Sequence, residues 1–82
     1  MSTATIRTVL AEHARLGVDV ATLGDDDDLY GAGLTSHASV NVMLALEDAF
    51  DVEFPDRMLR KSTFSCISSI DAAVTELTSA AA

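Results

Sequence analysis

One short string in this chain, Gly31-Ala32-Gly33-Leu34-Thr35-Ser36-His37, places a hydroxyl beside an imidazole at the end of a glycine-containing segment. A serine so placed has two chemical uses: it attacks a substrate, or it is esterified and carries a group. Attack needs a general base aimed at the hydroxyl. His37 is poorly placed for that, because adjacent residues on a helix point in different directions, and no nucleophile-elbow sequence surrounds Ser36. Carriage needs an accessible hydroxyl and surroundings that favour the attached charge. A periodic apolar run begins directly after Ser36, so the serine falls at a helix N-terminus, where unpaired N–H groups and a partial positive charge suit a phosphate. The plain alternative is that Ser36 is only the N-cap of that helix. Thr35 and His37 flank it in either case.

Other chemistry-bearing residues carry less. Asp25-Asp26-Asp27-Asp28 suggests a cation loop, but a calcium loop starting at Asp25 needs glycine at its sixth position and glutamate at its twelfth. Tyr30 and Ser36 stand there, so no metal site is expected beyond diffuse cation attraction. Cys66 reads as a small apolar residue at the start of the last helix, and His13 as a residue at a helix boundary.

The elements that must position Ser36 follow from periodicity. Ile6, Val9 and Leu10, with His13 and Leu16, predict an amphipathic helix over about Thr3 to Leu16, stopped by Gly17. Gly17 to Thr35 reads as a long irregular loop whose leucines tack it to the core; loops of this length are usually functional. A second helix runs from Ser36 to about Phe50, with Val42, Leu46, Ala49 and Phe50 on its buried stripe and Ser39 and Met43 beside it. Val40 and Leu44, four residues apart, share a different face, rimmed by Glu47, Asp48 and Asp51. A short helical segment is expected at Asp56 to Arg60 after Pro55. The last helix runs from about Cys66 to Thr78, capped by Ser65, with Ile67, Ile70, Val74 and Leu77 inward. Phe50 and Phe64 are the expected large core anchors. Three long helices and one short one, with a long loop between the first and second, make an all-α four-helix bundle. The whole chain, 1–82, is one domain, ordered from about 3 to 78.

Net charge is −8, and its distribution is uneven. Ten acidic residues and no Lys or Arg lie between Asp19 and Asp56; the five bases, Arg7, Arg15, Arg57, Arg60 and Lys61, are outside that window. Such a surface repels nucleic acid and anionic lipid and attracts proteins with basic patches. A single cysteine excludes an internal disulfide and fits a reducing, cytoplasmic setting. Charges in the first helical pattern leave no signal-peptide core, and the longest uncharged apolar run, Val40 to Leu46, is far too short to span a bilayer. With no large apolar patch evident, a monomer is expected.

The stretch Asp28-Leu29-Tyr30-Gly31-Ala32-Gly33-Leu34-Thr35-Ser36, the run Val40 to Phe50 and Phe54-Pro55-Asp56 together resemble the acyl carrier protein superfamily, over nearly the whole chain from the first helix to Ile70. The resemblance implies that Ser36 receives 4'-phosphopantetheine from coenzyme A through a separate phosphopantetheinyl transferase that uses Mg2+. It implies that the thiol of this arm holds an acyl or aminoacyl group as a thioester, and that the protein is a substrate of other enzymes rather than an enzyme. It places partner recognition on Val40, Leu44, Glu47 and Asp48, with Arg57 and Arg60 on the following segment. Fatty-acid carriers usually read Asp-Ser-Leu where this chain has Thr35-Ser36-His37, and tend to be acidic where it has Arg57-Met58-Leu59-Arg60-Lys61. Both departures point away from housekeeping fatty-acid synthesis. Gly33 to Ile70, with Phe54-Pro55-Asp56 and Ser62-Thr63-Phe64, is more similar to stand-alone carriers loaded with amino acids by ligases related to class II aminoacyl-tRNA synthetases, from which a downstream acceptor enzyme takes the cargo. Carriers of polyketide, specialised fatty-acid or nonribosomal-peptide synthesis stay open as alternatives, as does an unmodified helical protein-interaction module.

Overall fold

The computed structural model describes residues 3–80, which form three α-helices: α1 (Thr3–His13), α2 (Ser36–Phe50) and α3 (Ile67–Ala80). Three short 3-10 turns, Val20–Thr22, Asp56–Met58 and Lys61–Phe64, punctuate the connections. The architecture is all-α as expected; the short helical segment expected at Asp56 to Arg60 is a 3-10 turn over Asp56–Met58, and a second turn follows at Lys61–Phe64.

The core is apolar throughout. Ile6, Leu10, Leu29, Val42, Leu46, Ile67, Ile70 and Val74 are fully buried, and among the described residues no polar or charged residue joins them. Helix α1 lies against both α2 and α3, and contributes Ile6, Val9 and Leu10 at the spacing its periodicity predicts. It stops at His13, short of Leu16, because Arg15 takes a left-handed conformation with φ 53°, which ends an α-helix without requiring Gly17. Helix α3 begins one residue later than expected and continues past Thr78 to Ala80; of the ending 79–82 expected to fray, Ser79 and Ala80 are helical, and Ala81-Ala82 lie outside the described residues. Its start uses the Ser69 hydroxyl, which accepts from the Cys66 N–H at 3.3 Å, rather than the Ser65 side chain, which donates to the Ser62 carbonyl.

The aromatic anchors differ from expectation at one position. Phe64 is buried, but its partner is Phe54, not Phe50: their rings meet edge to face with centroids 5.6 Å apart. Phe50 is half-buried and Ala49 is exposed. The reason lies at the end of α2, where Asp51 turns left-handed (φ 53°, ψ 52°). The helical period ends there, and the chain folds back so that Phe54 points inward. Glu47 secures this fold-back by accepting the Phe54 N–H on Oε2 at 2.9 Å.

The long connection from α1 to α2 is irregular but well fastened. Val20, Leu29 and Leu34 are buried, as tacking leucines should be. Arg7 on α1 reaches across it, donating to the Val20 carbonyl at 3.0 Å and the Asp25 carboxylate at 2.7 Å. From the other side, the Asp25 carbonyl accepts the Ser68 N–H at 2.8 Å and the Leu29 N–H donates to the Ser65 carbonyl at 2.7 Å. The loop therefore satisfies part of the N-terminus of α3, which leaves orphan donors at any helix start.

Candidate functional site

The segment that delivers Ser36 is built by local hydrogen bonds around Leu29. Its carbonyl accepts from Ala32 at 3.1 Å and Leu34 at 3.0 Å, and the Gly33 N–H donates to the Tyr30 carbonyl at 3.2 Å. Gly33 has φ 116°, and a Cβ there would lie 3.1 Å from the Gly17 nitrogen. Both facts demand glycine, because the chain leaving α1 crosses the chain entering α2 at this point, with the Gly17 N–H donating to the Ala32 carbonyl at 3.1 Å.

The N-cap of α2 is Thr35, not Ser36. Thr35 is extended (φ −94°, ψ 163°), and its hydroxyl accepts the Ala38 N–H at 3.0 Å. Two adjacent hydroxyls compete for one role, and the extended residue takes it. Ser36 is the first residue of the helix proper; its carbonyl accepts from the Ser39 hydroxyl at 2.7 Å, while its own hydroxyl is exposed and makes no hydrogen bond among the described residues. Replacing Thr35 by Ala should cost about 1 kcal/mol, a fall in melting temperature of roughly 4–8 °C, and thermal unfolding checks it.

Ser36 stands at the edge of an open groove of about 660 Å³ between α2 and the segment after Leu59. Leu34, Val40, Met43, Leu59 and Phe64 supply its apolar surface, and Thr35, Ser36 and Ser39 a row of hydroxyls. Tyr30, Arg60 and Lys61 complete it. The Lys61 ammonium sits over the Tyr30 ring, 4.8 Å from its centre. Burial pushes the Tyr30 phenol up, a hydrogen bond with Ser39 works the other way, and the nearby Asp28 carboxylate adds to the rise. The phenol is therefore protonated and available as a donor at neutral pH.

The residues expected to recognise partners fall into three groups. Val40 and Leu44 are 51 % and 53 % exposed, on a face turned away from the Ala38–Val42–Leu46 stripe, with Asp48 also exposed. Leu59, 46 % exposed, is a further large apolar side chain open to solvent. Glu47 is not part of that outer face: it is half-buried and committed to the Phe54 N–H. Arg57 pairs with Glu76 of α3 at 3.2 Å, whereas Arg60 lines the groove. His37 is exposed beside Ser36. Tyr30 and Lys61 belong to the groove but were not singled out by sequence, since a contact across thirty-one positions leaves no local period. In the aspartate run, Asp25 pairs with Arg7, Asp27 accepts the Gly24 N–H at 2.7 Å, and Asp28 accepts the Tyr30 N–H at 3.1 Å. These three carboxylates shape the turn. Among the described residues no helix is long and apolar enough to cross a membrane.

The family described as "Phosphopantetheine attachment site" matches residues 4–74. An aminoacyl carrier protein of Agrobacterium fabrum is 50 % identical over 68 residues, 83 % of this chain and 82 % of that protein. Two crystal structures of an engineered Bradyrhizobium japonicum glycine:carrier protein ligase hold a carrier protein from Agrobacterium tumefaciens, one with AMP and one with ATP. In the AMP complex the matched chain is 48 % identical with a TM-score of 0.87, over 89 % of this chain and 97 % of that one. In the ATP complex the values are 45 % and 0.90, over 94 % and 100 %. Carriers of this kind hold their cargo on 4'-phosphopantetheine joined to a serine, and are substrates of other enzymes rather than catalysts. A family match over most of the chain, and identity at half of the aligned positions with a carrier of amino acids, agree with the helical frame: the chain belongs to the phosphopantetheine-attachment family of carrier proteins and is a homologue of the aminoacyl carriers within it.

Proposed function

We propose that Ser36 is the attachment residue and that the chain carries an amino acid, as a thioester, between a separate ligase and a downstream acceptor enzyme. The observation that carries this reading is the division of labour at the head of α2: Thr35 caps the helix, leaving the Ser36 hydroxyl exposed and unengaged in the helix-terminal field. The residues fit the group, since the hydroxyl opens onto a groove of about 660 Å³ with mixed apolar and hydroxyl lining. In attachment, Ser36 Oγ bonds to the phosphorus of coenzyme A that bears the pantetheine, the diphosphate bridge breaks, adenosine 3',5'-bisphosphate leaves and the Oγ proton is lost. Once attached, the arm supplies the thiol that holds the cargo. Such a thiol, like the free Cys66, needs a reducing compartment, which favours the cytoplasm.

Val40 and Leu44 form the centre of the ligase-docking surface in this reading, with Leu59 and Asp48 around them. Exposed apolar side chains rimmed by charge mark interaction sites, and kinship with carriers of amino acids supports a ligase as occupant. Incubating the holo chain with a glycine:carrier protein ligase, ATP and small amino acids should give a thioester, read as a mass increase reversed by hydroxylamine. Acyl-ligase loading with no aminoacyl product would overturn the choice of cargo. A Val40→Ser, Leu44→Ser double variant should lose about tenfold or more in kcat/KM for loading. Its melting temperature should stay close to that of the parent, because both positions are solvent-exposed and outward substitutions cost little.

A further inference from the structure

The three cations between Pro55 and Phe64 are not equivalent. Arg57 turns to α3 and pairs with Glu76. Arg60 and Lys61 line the groove onto which Ser36 also opens. Among the described residues neither is within ion-pairing distance of a carboxylate, although the chain has 13 acidic residues to five basic ones. Lys61 is instead held over the face of Tyr30 at 4.8 Å, an arrangement that fixes the position of an ammonium without neutralising it. The groove thus keeps two uncompensated positive charges across from an exposed hydroxyl, in a protein that is otherwise strongly acidic. Tyr30 itself is braced by the Asp28 carboxylate, which accepts its N–H, so the platform under Lys61 belongs to the same fastened segment that delivers Ser36.

We propose that Arg60 and Lys61 are positioning residues that hold the phosphodiester formed on Ser36. The inference rests on Ser36 being the attachment residue. A phosphodiester carries one negative charge and two free oxygens. The N-terminus of α2 offers backbone dipoles on one side of it, and the groove offers a guanidinium fork and an ammonium on the other, both strong donors to phosphate. Held there, the first bonds of the arm are directed along the groove, past Leu59 and Val40, rather than straight into solvent. The same cations could instead meet the phosphates of coenzyme A during transfer, before the ester exists; the chemistry is shared, and the experiment separates the two.

Parent chain and a Arg60→Gln, Lys61→Met double variant are converted to the holo form with coenzyme A, Mg2+ and a phosphopantetheinyl transferase. Intact mass establishes attachment. Each form is then compared with its apo form by thermal melting across a salt series, and the phosphodiester is observed by phosphorus NMR. The expected result is that holo parent melts above apo parent by roughly 2 °C or more at low salt. The difference should shrink as salt rises, the double variant should lack it, and the phosphorus resonance should move between parent and variant. Should the double variant fold poorly, the single variants Arg60→Gln and Lys61→Gln take its place, each expected to lose part of the holo-minus-apo difference and to move the phosphorus resonance. Full attachment with the same holo-minus-apo difference and the same resonance in both proteins overturns the proposal and leaves Ser36 standing. So does a variant that is only modified more slowly, which would assign the cations to coenzyme A or to the transferase. Absence of any mass gain on the parent chain overturns both readings together.

Discussion

Ser36→Ala should gain no mass from coenzyme A, Mg2+ and a broad-specificity phosphopantetheinyl transferase, while the parent chain should gain one phosphopantetheinyl group. The loss should be complete rather than partial, because the neighbouring hydroxyls are engaged: Thr35 Oγ1 accepts the Ala38 N–H and Ser39 Oγ donates to the Ser36 carbonyl. The variant should also stay folded. Its hydroxyl contributes no cap, so its stability should lie within about 0.5 kcal/mol of the parent, as for other exposed substitutions. Thr35→Ala should behave in the opposite way, losing cap stability but still accepting the arm. Mass spectrometry and melting curves on the two variants therefore give a crossed pattern. Modification of Ser36→Ala would overturn the assignment, and so would a cap-sized loss of stability in that variant with none in Thr35→Ala.

Leu29→Ala should be strongly destabilising and should carry that loss to the site. Leu29 is fully buried within an irregular segment, and truncation of a buried leucine costs about 2–5 kcal/mol. An 82-residue domain has a total stability of only about 4–12 kcal/mol, so the melting temperature should fall by roughly 8 °C or more. The effect reaches function because Leu29 organises the chain between Tyr30 and Leu34 through its own carbonyl. The fraction folded, and with it the fraction modified by the transferase, should drop together on warming. Urea unfolding followed by circular dichroism, alongside the modification assay, checks this. A midpoint unchanged from the parent would mean that the loop is not held by its leucine.

Much of the frame is legible in the sequence because short-range physics sets it. The three-and-four spacing of Ile6, Val9 and Leu10 marks α1, Leu29 and Leu34 turn inward as leucines dispersed in a polar loop are expected to, and Val40 and Leu44 fall outside the buried stripe by simple helical geometry. What escapes the sequence is decided by backbone dihedrals and by distance along the chain. Whether Thr35 or Ser36 caps α2 depends on which residue is extended, and the two side chains offer the same hydroxyl. The exchange of Phe50 for Phe54 follows from one left-handed residue, Asp51, at a position where any short polar residue would read alike. Glu47 looks like a rim acid until the chain folds back and presents the Phe54 N–H. The short helical segment expected at Asp56 to Arg60 is present, but that it winds as a 3-10 turn over Asp56–Met58 is not written in its spacing. The groove joins residues 30, 36 and 61, a relation no local pattern contains.

The fastening of the loop between the first two helices also bears on how chain length can vary. Leu29 is tied to Ser65 on one side and, through its carbonyl, to Ala32 and Leu34 on the other. Thr35 follows directly and starts α2. From Leu29 to Ser36 the spacing is therefore a ruler, and one inserted or deleted residue would rotate the serine off the mouth of the groove. Val18, which is exposed between the Gly17 contact and the Val20–Thr22 turn, does not set the position of the serine along α2. Length changes in carriers built like this one should accumulate before the turn and be absent from the eight residues that end at the serine.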